Sequence, residues 1–115
     1  MSAVLEITDK EFESKAIQAE GLVVVDFSAK WCGPCQRMYP ELVAAAEELA
    51  GQVTVVKVDV DESPETAMRY GVQGIPNLTL LRDGKVVDVA VGAMPKSAIT
   101  ALIRRNLGVA AKAQA

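Results

Sequence analysis

Histidine is absent from this sequence, and cysteine occurs only twice. These two shortages remove most site chemistry at once. Nucleophile–imidazole pairs have no base. A structural zinc site, which takes four Cys or His ligands, cannot be built within one chain, so no metal or other cofactor is expected. Clustered positive charge is missing too: Asp and Glu outnumber Lys and Arg by 15 to 12, the formal net charge is −3 and the pI is about 4.9. Nucleic acid and anionic membranes therefore have no electrostatic footing here. Long apolar runs are lacking, since Leu22–Val25 falls far short of the roughly 20 residues of a membrane span. Residues 1–20 carry Glu6, Asp9, Lys10, Glu11 and Glu13 and no apolar block before a small-residue cleavage site. A secretory signal is not expected, and a cytoplasmic location is.

Within those bounds the chain has the makings of one folded domain. Its 115 residues are 50% hydrophobic, enough to bury a core without staples. Strand and helix patterns alternate, with no linker or repeat between them. Val4–Ile7 reads as a short strand. Thr8 and Glu11 form a T-x-x-E capping box opening a helix to about Ala19, which Gly21 stops. Leu22–Phe27 is apolar almost without alternation, as a central strand covered on both faces should be. A helix follows from about Pro34 to Ala50, its buried stripe formed by Met38, Leu42, Ala45 and Leu49, with a kink expected at Pro40.

Gln52–Val60 reads as the next strand, parallel to the central one through the helical crossover. Ser63 and Pro64 start a short helix to about Tyr70. Leu78–Leu81 and Val86–Val91 flank Asp83-Gly84, a signature of a tight antiparallel hairpin. Pro95 opens a last helix with Ile99, Leu102, Ile103 and Leu107 facing inward. The fold class is α/β, a five-stranded mixed sheet flanked by four helices. Residues 1–107 form the domain and 108–115 a flexible tail.

The two cysteines fall together in Trp31-Cys32-Gly33-Pro34-Cys35, where the buried strand hands over to the long helix. Cys32 then lies among the unsatisfied N–H groups at the helix N-terminus, which stabilise a thiolate and lower its pKa. Cys35 sits one turn deeper on the same face, within disulfide reach, and is expected to be the more buried and less acidic thiol. A purely structural disulfide is a weak reading. Closing a four-residue loop stabilises by about 2 kcal/mol, against nearly 5 for about 100 residues. Cys-x-x-Cys beside a βαβ pattern points instead to a redox pair.

Asp26, in the middle of a run covered on both faces, carries a desolvation penalty that raises its pKa. A carboxyl poised near neutrality can exchange a proton with the deeper thiol. Lys57, in the neighbouring strand, is the expected charge partner, and a purely structural Asp–Lys pair is the alternative. Three other readings stay open: a disulfide oxidase or isomerase, a docking module that works without redox chemistry, and an iron–sulfur cluster bridging two chains. No histidine stands beside the pair to stabilise the Cys32 thiolate further, Pro34 preceding Cys35 instead, which favours a reductant over the first of these.

W-C-G-P-C is joined by Asp26 in V-V-V-D-F, Pro40, Lys57 in V-V-K-V-D-V, Gly74-Ile75-Pro76, Asp83-Gly84 and Gly92. With these features the sequence resembles the thioredoxin family over roughly Leu5–Leu107. The resemblance implies a general protein-disulfide reductase, with Cys32, Cys35, Asp26 and Lys57 as its catalytic groups. It also implies a cis Ile75–Pro76 bond against the disulfide, with substrate backbone paired alongside it. Trp31, Gly33, Pro34, Val60, Gly74, Ile75, Pro76, Gly92 and Ala93 match the family's apolar docking surface. The implied partners are disulfide-bearing proteins and a dedicated thioredoxin reductase, with the chain working as a monomer. Two residues depart from the pattern. Ser28 stands where the family usually has tryptophan, which predicts a looser active-site loop, and Asn77 stands where threonine is common, next to the expected groove.

Overall fold

Strand β2 (Leu22–Ser28) is buried at all seven positions and forms the middle of the sheet. In the computed structural model, which describes residues 3–109, the five strands run in the order β1-β3-β2-β4-β5. β1 (Val4–Ile7) and β2 both pair in parallel with β3 (Thr54–Asp59). β4 (Asn77–Arg82) is antiparallel to β2 and to β5 (Lys85–Val91). Asp83 and Gly84 connect β4 to β5 with φ of 54° and 77°, the positive pair that a two-residue hairpin with the sheet's twist requires.

The sheet is covered on both faces, so alternation along β2 sorts its side chains into two cores. Leu22 and Val24 pack with Met38, Leu42, Ala45 and Leu49 of α2 (Gly33–Glu48) and Ile99, Leu102 and Ile103 of α4 (Lys96–Asn106). Val23, Val25 and Phe27 pack on the other face with Phe12, Ala16 and Ala67. Each Leu- or Val-sized side chain so buried contributes about 1.5–3 kcal/mol. Parity then puts Asp26, between Val25 and Phe27, on the face that α2 covers.

Three local features depart from the sequence-based reading. The first helix does not run as one α-helix to Ala19. α1 (Asp9–Phe12) widens into a π-helical turn over Glu13–Ile17, closed by the Gln18 N–H donating to Glu13 O at 3.0 Å. This turn brings Ile17 under the β4–β5 turn, where a Cβ on Gly84 would lie 3.0 Å from it. Secondly, Ser63 does not cap α3 (Pro64–Arg69) with its own side chain. Asp9 does so from 57 residues away: its carboxylate accepts from the Glu65 N–H (3.2 Å), the Thr66 N–H (2.9 Å) and the Thr66 hydroxyl (2.6 Å). The Ser63 hydroxyl in turn accepts from the Asp9 N–H at 3.1 Å. Finally, Arg82 gathers carbonyls at the end of α4, donating to Leu107 O (2.8 Å) and Val109 O (2.6 Å). It therefore reaches Val109, in the segment expected as a tail, of which 110–115 lie outside the described residues.

Candidate functional site

The end of β2 and the start of α2 carry the site. Cys32 is the N-cap residue of α2, in extended conformation (φ −86°, ψ 104°), and Pro34 occupies the first turn, where a missing N–H costs no helical bond. The helix begins at Gly33, one residue before the sequence-based boundary. Cys32 and Cys35 are joined as a disulfide with their Cα atoms 5.3 Å apart. The Cys35 N–H donates to Cys32 Sγ at 3.2 Å, so a helix-terminal donor already points at the sulfur expected to carry charge when reduced.

Burial does not separate the two cysteines as expected: Cys32 is 4% exposed and Cys35 3%. In the oxidised pair, Sγ of Cys32 is turned back over the helix N-terminus to accept from the Cys35 N–H, and Ala29, Val60 and Ile75 pack with the two cysteines. The difference in access expected between the thiols is therefore not a property of this oxidised form.

Ile75–Pro76 is the cis bond that the resemblance implied. Ile75 contacts the disulfide cluster, whereas Pro76 itself is buried and contributes its carbonyl to a bond from the Gly92 N–H at 2.8 Å. Gly92 has φ of 106°, a region side-chain-bearing residues avoid. Trp31, Gly33, Pro34 and Ala93 are exposed around the disulfide, and Val60, Gly74, Ile75 and Gly92 are half-buried. Of the nine residues matched to a docking surface, eight are accessible and Pro76 lies beneath them.

Asp26 is 1% exposed, and its Oδ1 has no hydrogen-bond partner. Burial pushes its carboxyl up to about 7, against the opposing pull of the Lys57 charge. Lys57 is Asp26's register partner on β3, but the two form no contact ion pair among the described residues. The Lys57 ammonium sits over the Tyr39 ring of α2, 4.8 Å from its centroid. The expected charge partner thus acts through space and leaves the carboxyl largely uncompensated.

The residues that hold the loop were not singled out in the sequence. Trp31 Nε1 donates to Asp61 Oδ2 at 2.8 Å, Lys30 pairs with Glu62 at 2.9 Å, and Gln36 Nε2 donates to Ala29 O at 3.2 Å. Asp59 fixes the receiving turn, its Oδ1 accepting from the Asp61 and Glu62 N–H groups. These ties anchor the loop beside Ser28, which is buried in β2 at the position where the resemblance led tryptophan to be expected. Asn77 is also buried, and its Oδ1 accepts from the Thr79 hydroxyl at 2.6 Å, so its amide is held within β4.

Known sequences agree with this geometry. The thioredoxin family model matches residues 3–105. A thioredoxin of Bacillus subtilis is 43% identical over 105 residues, covering 91% of this chain and 99% of its own. Thioredoxin 1 of a Nostoc species is 38% identical over 107 residues, covering 93% of this chain and all of its own. A thioredoxin of Haemophilus influenzae is 41% identical over 107 residues, with the same coverage of both chains. With end-to-end similarity and a Cys-Gly-Pro-Cys pair bridged at the head of α2, the chain belongs to the thioredoxin family of protein-disulfide oxidoreductases.

Proposed function

We propose that the chain reduces disulfides in other proteins by a two-step exchange in which Cys32 attacks and Cys35 resolves. The observation that carries this assignment is the Cys35 N–H directed at Cys32 Sγ at the head of α2. Once the pair is reduced, that donor and the helix dipole favour a thiolate at Cys32. The thiolate attacks one sulfur of the target disulfide, forming a mixed disulfide and releasing the other target sulfur as a thiolate. Cys35, deprotonated, then attacks Cys32 Sγ, which re-forms the internal disulfide and frees the second target thiolate. Two electrons pass from the dithiol to the target.

Asp26 is the acceptor for the Cys35 proton, since its carboxyl, held near 7, is partly ionised at neutral pH. Lys57 tunes that carboxyl through space. Trp31, Gly33, Pro34, Val60, Gly74, Ile75, Gly92 and Ala93 form the apolar surface on which the target lies, and Pro76 sets the backbone beneath it. The family reading supplies a thioredoxin reductase to restore the dithiol. A cytoplasmic monomer fits this role, and no helix among the described residues is long and apolar enough to cross a membrane.

Single-cysteine variants test the division of labour. Cys35→Ser should accumulate a mixed disulfide with a disulfide-bearing protein substrate, and Cys32→Ser should accumulate none. Equal trapping by both, or trapping through Cys35 alone, would reverse or abolish the assignment. In stopped-flow, Asp26→Asn should slow release of the target from the mixed disulfide at neutral pH while leaving the first attack near the wild-type rate. An unchanged release rate across the pH range removes Asp26 from the mechanism.

A further inference from the structure

A shallow groove of about 290 Å³ opens at the far side of the motif, lined by Arg37, Met38 and Glu41 of α2 and by Ala93, Met94 and Pro95 of the β5–α4 connection. It is continuous with the apolar surface through Ala93. Arg37 dominates its polar character. Its guanidinium lies beside the residue that follows Cys32: a Cβ built on Gly33 would come within 3.3 Å of Arg37 Nη1. Arg37 is exposed and takes part in no ion pair among the described residues.

Glu41, the acidic group in the groove, has its Oε1 turned to the Lys96 N–H at 3.0 Å, at the N-terminus of α4, whose positive end offsets part of the carboxylate charge. Lys96 itself is paired with Glu48. Next to Trp31, whose indole donates to Asp61, Lys30 is committed to Glu62. Arg37 is thus the one cation lining the groove, and it is held by no ion pair among the described residues.

We propose that this groove is a specificity subsite, in which Arg37 pairs with an Asp or Glu side chain next to the attacked cysteine of a protein target. The inference deepens the disulfide-reductase reading and rests on it. The side-chain chemistry follows from the groove: its apolar walls (Met38, Met94, Pro95) accept the stem of an extended residue, and the guanidinium offers paired donors that fit a carboxylate. A lysine in the same place would meet an unpaired like charge.

Three disulfide-bonded peptides that differ only in having Glu, Gln or Lys beside the target cysteine provide the probe. Wild-type kcat/KM should fall in the order Glu, Gln, Lys, with a spread of about three- to tenfold at low ionic strength that shrinks on adding salt. Arg37→Gln should flatten the order and Arg37→Glu should invert it. Reduction of all three peptides at one rate, or the same order in wild type and both variants, would overturn the subsite while leaving the reductase reading intact. Reduction of none would defeat both. Loss of the wild-type preference in salt shows that it is electrostatic, and its change in the two Arg37 variants assigns it to the groove.

Discussion

Replacing Asp26 with asparagine should stabilise the oxidised protein, and by an amount that depends on pH. Its carboxyl, with a pKa of 3.8 in an unstructured chain, is pushed up to about 7 by burial in the fold. The folded state thus binds a proton more tightly than the unfolded chain does, and stability contributed by the neutral carboxyl is lost as pH rises. Below about pH 4 both states are protonated and no penalty applies. Between about pH 4 and 7 the penalty grows by nearly 1.4 kcal/mol per unit, reaching about 4 kcal/mol above pH 7.

Asparagine does not titrate, so any cost of seating its amide is the same at every pH. The diagnostic is therefore the difference between Asp26→Asn and wild type as a function of pH. Urea unfolding of both oxidised proteins at intervals from pH 4 to 8.5 reads this difference. With m of about 1–3 kcal/mol per molar, the midpoint gap should widen by on the order of 2 M across the range. Parallel stability curves, or a gap that narrows as pH rises, would refute the argument that this carboxyl is buried without compensation.

Asp9→Ala should destabilise the protein by about 1–2 kcal/mol, because it strips α3 of its N-cap, and chemical denaturation at pH 7 measures this. The carboxyl is opposed by burial but held below its usual range by the Thr66 hydroxyl and the Thr66 and Glu65 N–H groups, so the deficit should vanish as pH falls through the carboxylate range. Gly92→Ala should cost about 1–3 kcal/mol, since its φ of 106° disfavours any side chain; a neutral effect in thermal unfolding would show that the turn relaxes. Asp61→Ala should release the Trp31 indole, visible as altered Trp31 emission, while far-ultraviolet circular dichroism stays unchanged. Trp31 is the chain's single tryptophan, so emission identical to wild type would mean that the indole bond does not hold the loop.

Features that depend on short-range pattern were legible in the chain itself. The unbroken apolar run of β2, the stripe Met38–Leu42–Ala45–Leu49 and the Asp83-Gly84 turn each express one periodicity or one backbone requirement. Cys32 and Cys35 were readable for the same reason: a helix start and a three-residue spacing decide both their environment and their reach. Ties between distant segments were not readable. Asp9 caps a helix that has its own local candidate in Ser63, and no spacing rule predicts which of the two acts. The Asp61–Trp31 bond and the reach of Arg82 to the end of α4 depend on how loops meet across the finished sheet. The π turn at Glu13–Ile17, which sets Ile17 under Gly84, has no signature in a local sequence that favours a regular helix.

The central claim is that the Cys32–Cys35 pair donates electrons. The most direct test is its equilibrium reduction potential, obtained by poising the protein in glutathione buffers of known ratio and following Trp31 fluorescence. A potential more negative than that of the glutathione couple is predicted, so that the dithiol is the electron-giving form. A potential well above it would mean that the disulfide is the unstable form, and the protein would then act as an oxidant or isomerase.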